Sequence, residues 1–260
     1  MSADLKLGGF TLADAMAAVK AKPADPLLRA GLFRFFALLG QWQRAATQLQ
    51  TLEDLDATQA MYARSYGACL DCERFRDDVF AAKRSPLFVG EPAEWMALLL
   101  QAAQTTEANA RLPLIDSAFD QAPAVAGKLD GKAFDWIADA DSRFGPIVEG
   151  FIDGKYYWIP FERLSELRFE AAVEFIDRIW HPCEFVFASG GAKNGFIPTR
   201  YPGSPGDADP GIVLGQSNRT TALSDDFVIL HGARVFNTDT LSVSLAEIQR
   251  IVLDPLVAGA

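Results

Sequence analysis

Leu12, Ala15, Met16 and Val19 recur at intervals of three and four residues, which puts them on one face of a helix and predicts an amphipathic first helix. Lys22-Pro23-Ala24-Asp25-Pro26 breaks it. Leu27 to Leu39, rich in leucine and phenylalanine, is a second helix ended by Gly40, and Gln41-Trp42 opens a third that runs to about Leu55. Ala45, Leu49, Leu52 and Ala57 fall at the spacings of the second helix of a tetratricopeptide repeat, a helix–turn–helix unit of about 34 residues. Met61 to Phe80 supplies a less regular middle unit, and a further unit starts at Trp95 and Leu98 and ends at Ala118 and Pro123. Phe33 stands where such repeats hold a small residue, and Pro113 is expected to kink or shorten its helix. Ala122 to Gly131, with Pro123, Gly127 and Asp130-Gly131, marks a connection to a second part.

Beyond it the apolar period shortens. Asp153-Gly154 lies between Ile147–Ile152 and Lys155–Ile159, a two-residue hairpin signal because a type I′ turn needs positive φ at both central positions. Alternation sends Tyr156 and Trp158 to one face and Tyr157 and Ile159 to the other. Both faces are apolar, so both should be covered, and Pro160 should end the strand. Leu167–Phe169 and Glu184–Ala188 are strand candidates, and Val173–Trp180 is a short helix with Val173, Ile176 and Trp180 on one side. Ser189–Gly195 is a glycine-rich hairpin connection that lacks the G-x-x-x-x-G-K-S/T order of a phosphate loop. Phe196–Tyr201 continues as strand or edge, Pro202–Gly211 is an exposed loop, and Val228–Phe236 is another strand. Leu241, Val243 and Leu245 alternate as a last strand, with Leu245–Val252 open to either strand or helix. The fold class is α+β in two parts: a tetratricopeptide-like all-α part over 1–125 and a small mixed α+β part with short antiparallel strands over 126–260.

Half of the 260 residues are hydrophobic, enough for a sizeable core. The net charge of −10 argues against nucleic acid and anionic membrane as partners, since both need basic surface. No apolar run approaches the roughly 18 residues of a membrane span, and Met1–Phe10 lacks the basic start and apolar core of a targeting segment. A cytoplasmic location is the expectation. Three cysteines do not form a disulfide framework. Cys69 and Cys72, despite their C-x-x-C spacing, lie in a helical pattern and are expected in the core, while His181, Cys183 and His231 are isolated.

Asp139 and Asp141 are a close pair of acids that could serve acid–base chemistry or a metal site. Arg143 beside them favours a structural role instead, and no third metal ligand, paired histidine or G-x-S-x-G elbow occurs. No metal or cofactor is expected. Asp139, Asp141, Arg143 and Arg200 are expected to form a charged network with Trp136, Tyr157, Trp158 and Tyr201 packed nearby. A hydrolase acting through the two acids, or a self-assembling scaffold, are the alternatives to a binding module.

Several strings carry a resemblance to a known family. They are Lys22-Pro23-Ala24-Asp25 with Leu28-Arg29; Leu39 to Ala45 (LGQWQRA); and Trp136 to Arg143 (WIADADSR) followed by Gly145-Pro146. Gln48-Leu49, Ala122-Pro123, Asp130-Gly131, Phe134, Gly154 to Phe161 (GKYYWIPF), Ile197 to Gly203 (IPTRYPG) and Thr238-Asp239 complete the set. The chain resembles the ImpE family, also called SciE-type or TagJ, accessory proteins of bacterial type VI secretion. The resemblance implies no catalysis. It implies an adaptor that binds the small subunit of the contractile sheath, a helix docking in an apolar groove, and links it to the AAA+ ATPase that disassembles the sheath. Leu28, Phe35 and Trp42 are candidates for that groove. Leu214–Val228 departs from the family pattern, so a contact made there would differ.

Overall fold

A computed structural model describes residues 5–254. Among these residues, a hairpin of β1 (Lys6–Leu7) and β2 (Phe10–Thr11) leads into α1 (Leu12–Ala21), α2 (Pro26–Leu38), α3 (Trp42–Leu55) and α4 (Ala60–Phe80). Strand β3 (Leu87–Phe88), α5 (Glu94–Gln104) and α6 (Ala108–Gln121) follow. The rest is mainly strand: β4 (Gly127–Leu129), β5 (Lys132–Phe134), β6 (Ile137–Asp139), β7 (Ile147–Ile152), β8 (Lys155–Pro160), β9 (Leu164–Phe169), β10 (Trp180–Phe187) and β11 (Ala192–Pro198). A one-turn helix α7 (Pro210–Val213) precedes β12 (Asn218–Ala222), β13 (Val228–Gly232), β14 (Val235–Thr238), β15 (Ser242–Ser244) and β16 (Arg250–Leu253).

Local chemistry explains the helix boundaries. Thr11 and Asp14 close a reciprocal capping box at the start of α1. The break at Lys22–Pro26 is also the start of α2: Asp25 accepts from the amides of Leu27 and Leu28 at 3.0 and 3.3 Å, and Pro26 takes the first helical position. Gly40, at φ 68°, closes α2 with bonds from its own amide to Ala37 and from the Gln41 amide to Phe36, the Schellman pattern. Pro113 does not end α6, which runs through it to Gln121. It lies near the helix start, where Asn109, whose carbonyl it cannot serve, is exposed.

Nine strands form one sheet in the order β3, β8, β7, β11, β10, β9, β16, β4, β5, antiparallel except between β3 and β8. The Asp153-Gly154 turn has φ of 51° and 71°, and it pairs Ile152 with Lys155 as the hairpin signal predicts. Tyr156 and Trp158 enter a core shared with the helices, whereas Ile159 joins Val148, Ile152 and Phe185 in a second core on the opposite face. Helix α4 lies over β7 and β8, with Phe75 against Tyr156 and Phe80 against Trp158 at ring separations of 6.3 and 6.1 Å. Cys69 and Cys72 face this core, and burial raises both thiols above their ordinary range. A smaller sheet of β15, β14 and β6 and a separate β12–β13 ribbon lie beside the large one.

Several expected elements differ. Val173–Trp180 is not a helix: only Phe175–Arg178 makes a 3₁₀ turn, Val173 is 88% exposed, and Trp180 starts β10. Asp130-Gly131, expected in a connection, is a second hairpin turn at φ 47° and 83°, joining β4 and β5. Phe196–Pro198 is not on an edge but between β7 and β10. Ser204, inside the supposed exposed loop, is fully buried and accepts from the Gly232 amide at 2.8 Å. Val228–Phe236 is interrupted at Ala233 and Arg234, and β12 had no counterpart among the expected strands. No helix among the described residues is long and apolar enough to cross a membrane.

Gly145, at φ 49°, lets the loop after β6 meet α6; a Cβ there would lie 2.3 Å from the Phe119 ring. Gly145→Ala should therefore combine left-handed strain with overpacking and lower the unfolding free energy by about 2–4 kcal/mol. Urea denaturation of the two proteins checks this.

Candidate functional site: a buried ionic chain and an apolar groove

Four acids and four arginines are buried between the helices and the sheet: Glu73, Asp139, Asp141 and Glu149 with Arg76, Arg143, Arg200 and Arg234. Glu149 is the centre. Strand β7 is buried along its whole length, and its alternation turns Glu149 toward α4. The Arg76 guanidinium, from α4, donates to both carboxylate oxygens of Glu149 at 2.6 Å. Arg234 pairs with the same carboxylate and, through its other terminal nitrogen, with Asp139. The Tyr156 hydroxyl also donates to Glu149 and receives the Trp158 indole N–H at 2.6 Å. Burial raises the Glu149 carboxyl, but Arg76 and Arg234 outweigh it and hold its pKa below the ordinary glutamate value.

Asp139 accepts from Tyr201 at 2.8 Å and from the Asp141 amide at 2.9 Å. Burial pushes its carboxyl up to about 7 against the pull of Arg234. Asp141 is held by the Arg143 side chain at 2.9 and 2.6 Å, by the Arg143 amide, and by the Leu230 amide at 2.7 Å. All four oxygens of the aspartate pair thus meet protein donors, and neither acid is left open as a base.

The expected network is therefore only partly assembled. Asp139, Asp141, Arg143 and Tyr201 come together. Arg200 does not pair with either aspartate: it donates to the main-chain carbonyls of Leu38 and Val213 at 2.7 and 2.6 Å, and burial lowers its pKa to about 10. Trp158 reaches the network through Tyr156, whereas Tyr157 points to the opposite core and Trp136 is 40% exposed. Arg76, Glu149, Arg234 and Glu73, which accepts the Trp180 indole at 2.9 Å, were not among the expected site residues. The available signal was a lone charge inside an apolar strand, as at Glu149 in IVEGFI and Arg234 in the Val228–Phe236 run.

A separate surface is apolar. Leu7 and Phe10 from the first hairpin, Ala15 and Ala18 from α1, Leu27, Leu28, Gly31 and Phe35 from α2, and Phe175 line a cavity of about 380 Å³. Arg34 is its one charged wall residue, tied to Glu174 at 2.7 Å. Gly31 forms an open part of the wall, with nothing within 4 Å of where its Cβ would stand. Leu28 and Phe35 thus share a groove, but Trp42 does not line it: its indole donates to Asp77 at 2.7 Å and its rings pack near Trp180.

Comparison with known proteins adds relatives. The family model described as ImpE protein matches residues 131–252. A protein of Pseudomonas aeruginosa called type VI secretion system accessory component TagJ is 36% identical over 240 residues, covering 91% of this chain and 84% of that protein. The crystal structure of protein VPA1032 from Vibrio parahaemolyticus shares the fold, with a TM-score of 0.86 at 20% identity over 95% of this chain and 94% of the other.

Removing the central acid should cost far more than removing its neighbour. Glu149→Gln leaves two buried arginines short of a counter-charge, and the expected loss is about 3–5 kcal/mol. Asp139→Asn should cost less than half as much at neutral pH. A carboxyl raised in the folded state favours folding fully below the unfolded pKa of 3.8, and that contribution is lost as pH rises through about 7. The asparagine variant should accordingly lack part of the wild type's stability decline between those values. Chemical denaturation at stepped pH measures both effects.

Proposed function

This chain belongs to the ImpE family, and from that premise we propose that it is a non-catalytic accessory protein of bacterial type VI secretion working in the cytoplasm. On this reading it is an adaptor: a helix of the small sheath subunit docks in the groove between α1, α2 and the first hairpin, and the rest of the molecule links that subunit to the AAA+ disassembly ATPase. The name of the Pseudomonas relative supports the secretion role. The apolar groove carries the binding mode, because a helix with i, i+3, i+4 apolar residues needs such a trough. Leu27 at 83% and Phe10 at 60% exposure leave apolar surface on its rim for a partner to cover.

The saturated acids support the non-catalytic part of the reading, since hydrolysis through Asp139 and Asp141 would need an accessible carboxylate. Asp139, Asp141 and Arg143 then serve as a frame. We treat residues 1–125 as tetratricopeptide-like helical hairpins that present the groove and residues 126–260 as the α+β part that braces them.

The test is recovery of secretion components on the purified chain from cells that carry the secretion cluster. Gly31→Leu should fill the groove without a clash and without weakening α2, as leucine is the better helix former. Leu27→Asp should charge its rim. Both variants should stay folded and recover at least about tenfold less sheath subunit, the loss of one central contact of ordinary strength. Wild type that recovers neither sheath subunit nor ATPase would sink the adaptor reading. Full recovery by Gly31→Leu would move the contact off the groove.

A further inference from the structure

The Arg34–Glu174 ion pair separates two cavities. Arg34 lines the apolar groove, whereas Glu174 lines a second cavity of about 760 Å³. Helix α4 gives Met61, Tyr62 and Tyr66 to the wall of the second one. The segment that runs into the 3₁₀ turn gives Glu170, Val173, Glu174 and Asp177, and β11 gives Phe196. Phe175, in the middle of that segment, turns to the groove instead. The two cavities therefore present different chemistry, and an occupant of one need not enter the other.

Every charged residue in the wall of the second cavity is an acid. Arg34 balances Glu174 from the groove side at 2.7 Å. Among the described residues, no lysine or arginine stands in the wall to balance Glu170 or Asp177. Asp177 is only 7% exposed. Its Oδ2 accepts from the Val173 and Glu174 amides at 2.9 and 2.8 Å, but its Oδ1 has only the Tyr66 hydroxyl at 3.5 Å, the far limit of a hydrogen bond. A buried carboxylate oxygen served so poorly is costly unless a further donor arrives. The same wall is aromatic: Tyr62 and Tyr66 meet edge to face at 4.6 Å, and Phe196 lies 5.9 Å from Tyr66. Rings beside unbalanced acids suit a cation, and a planar guanidinium best, since it stacks on aromatic faces and forks onto carboxylates. Met61 and Val173, both largely exposed, add an apolar rim. A bare ion would leave that rim wet, whereas chain on either side of an arginine would cover it.

We propose that this cavity is a docking site for an arginine of a partner protein, with the guanidinium between Glu170, Asp177 and the tyrosine rings and its neighbours in the chain laid over Met61 and Val173. The net charge of −10 draws such a basic segment toward the molecule, and the cavity fixes where it lands. The proposal does not depend on what fills the groove.

Methyl NMR spectra of the full chain labelled at methionine test this, because Met61 stands on the rim while Met96 is buried in the core. The probe is the acetylated and amidated peptide Leu-Arg-Leu, set against its norleucine counterpart and against agmatine, which carries the guanidinium without the peptide. The arginine peptide should move the Met61 signal and leave Met96 in place. It should bind at least about tenfold tighter than the norleucine peptide, the combined effect of a cation over aromatic rings and an exposed ion pair. Agmatine, which cannot cover the rim, should bind at least about threefold more weakly than the arginine peptide. Glu170 is exposed, so substitutions there should leave the fold intact, with the Met96 signal as the check. Glu170→Gln should weaken the arginine peptide about threefold and Glu170→Lys about tenfold. A Met61 signal that the arginine peptide does not move overturns the proposal. Equal binding of the norleucine peptide, or indifference to Glu170→Lys, does so too. Agmatine binding as tightly as the peptide would make this a small-cation site and overturn the partner.

Discussion

The Glu149 carboxylate sits fully buried between two guanidiniums, and the rest of the molecule is arranged to make that tolerable. Taking an ion out of water costs several kcal/mol even after relaxation, and only close opposite charges with good hydrogen bonds offset it. The two arginines come from opposite directions. Arg76 fixes α4 to the sheet, and Arg234 fixes the turn between β13 and β14. Through Asp139, Arg234 also holds the loop after β6, which in turn holds β13 by Asp141 and Arg143. Helices, large sheet and small sheet are thus joined at one ionic centre, with aromatic rings closing it: Phe144 lies 5.0 Å beneath the Arg234 guanidinium.

The consequence is a division between interior and surface. Buried charge demands a fixed geometry but presents nothing outside, since its donors and acceptors are consumed within the chain. The groove is the reverse: apolar, open, and built on the first helices, whose side-chain caps at Thr11 and Asp25 set their starts without reference to the ionic centre.

What the sequence made legible was local. The Asp153-Gly154 hairpin, the capped break at Lys22–Pro26 and the helical spacing through Phe80 each depend on neighbours a few residues apart. Asp130-Gly131 has the same turn chemistry but joins three-residue strands, too short to show a period. Val173, Ile176 and Trp180 imitate helix spacing, yet Trp180 is drawn into the sheet, where its indole meets Glu73 from α4. In the network, Asp139, Asp141 and Arg143 were visible because they adjoin. Arg76 and Glu149 are 73 residues apart, and no local pattern pairs them. Leu28 and Phe35 share a helix face and line the same cavity, while Trp42, beyond Gly40, turns to Asp77 and Trp180.

Arg200 holds two carbonyls, at Leu38 and Val213, and no side chain. Every amino acid carries a carbonyl, so mutation at positions 38 or 213 can change the residue without removing what the arginine grips. Such a tie is indifferent to the identity of its targets. What restricts the residues at 38 and 213 is instead the burial of their own side chains in the core, so position is set by one contact and identity by another.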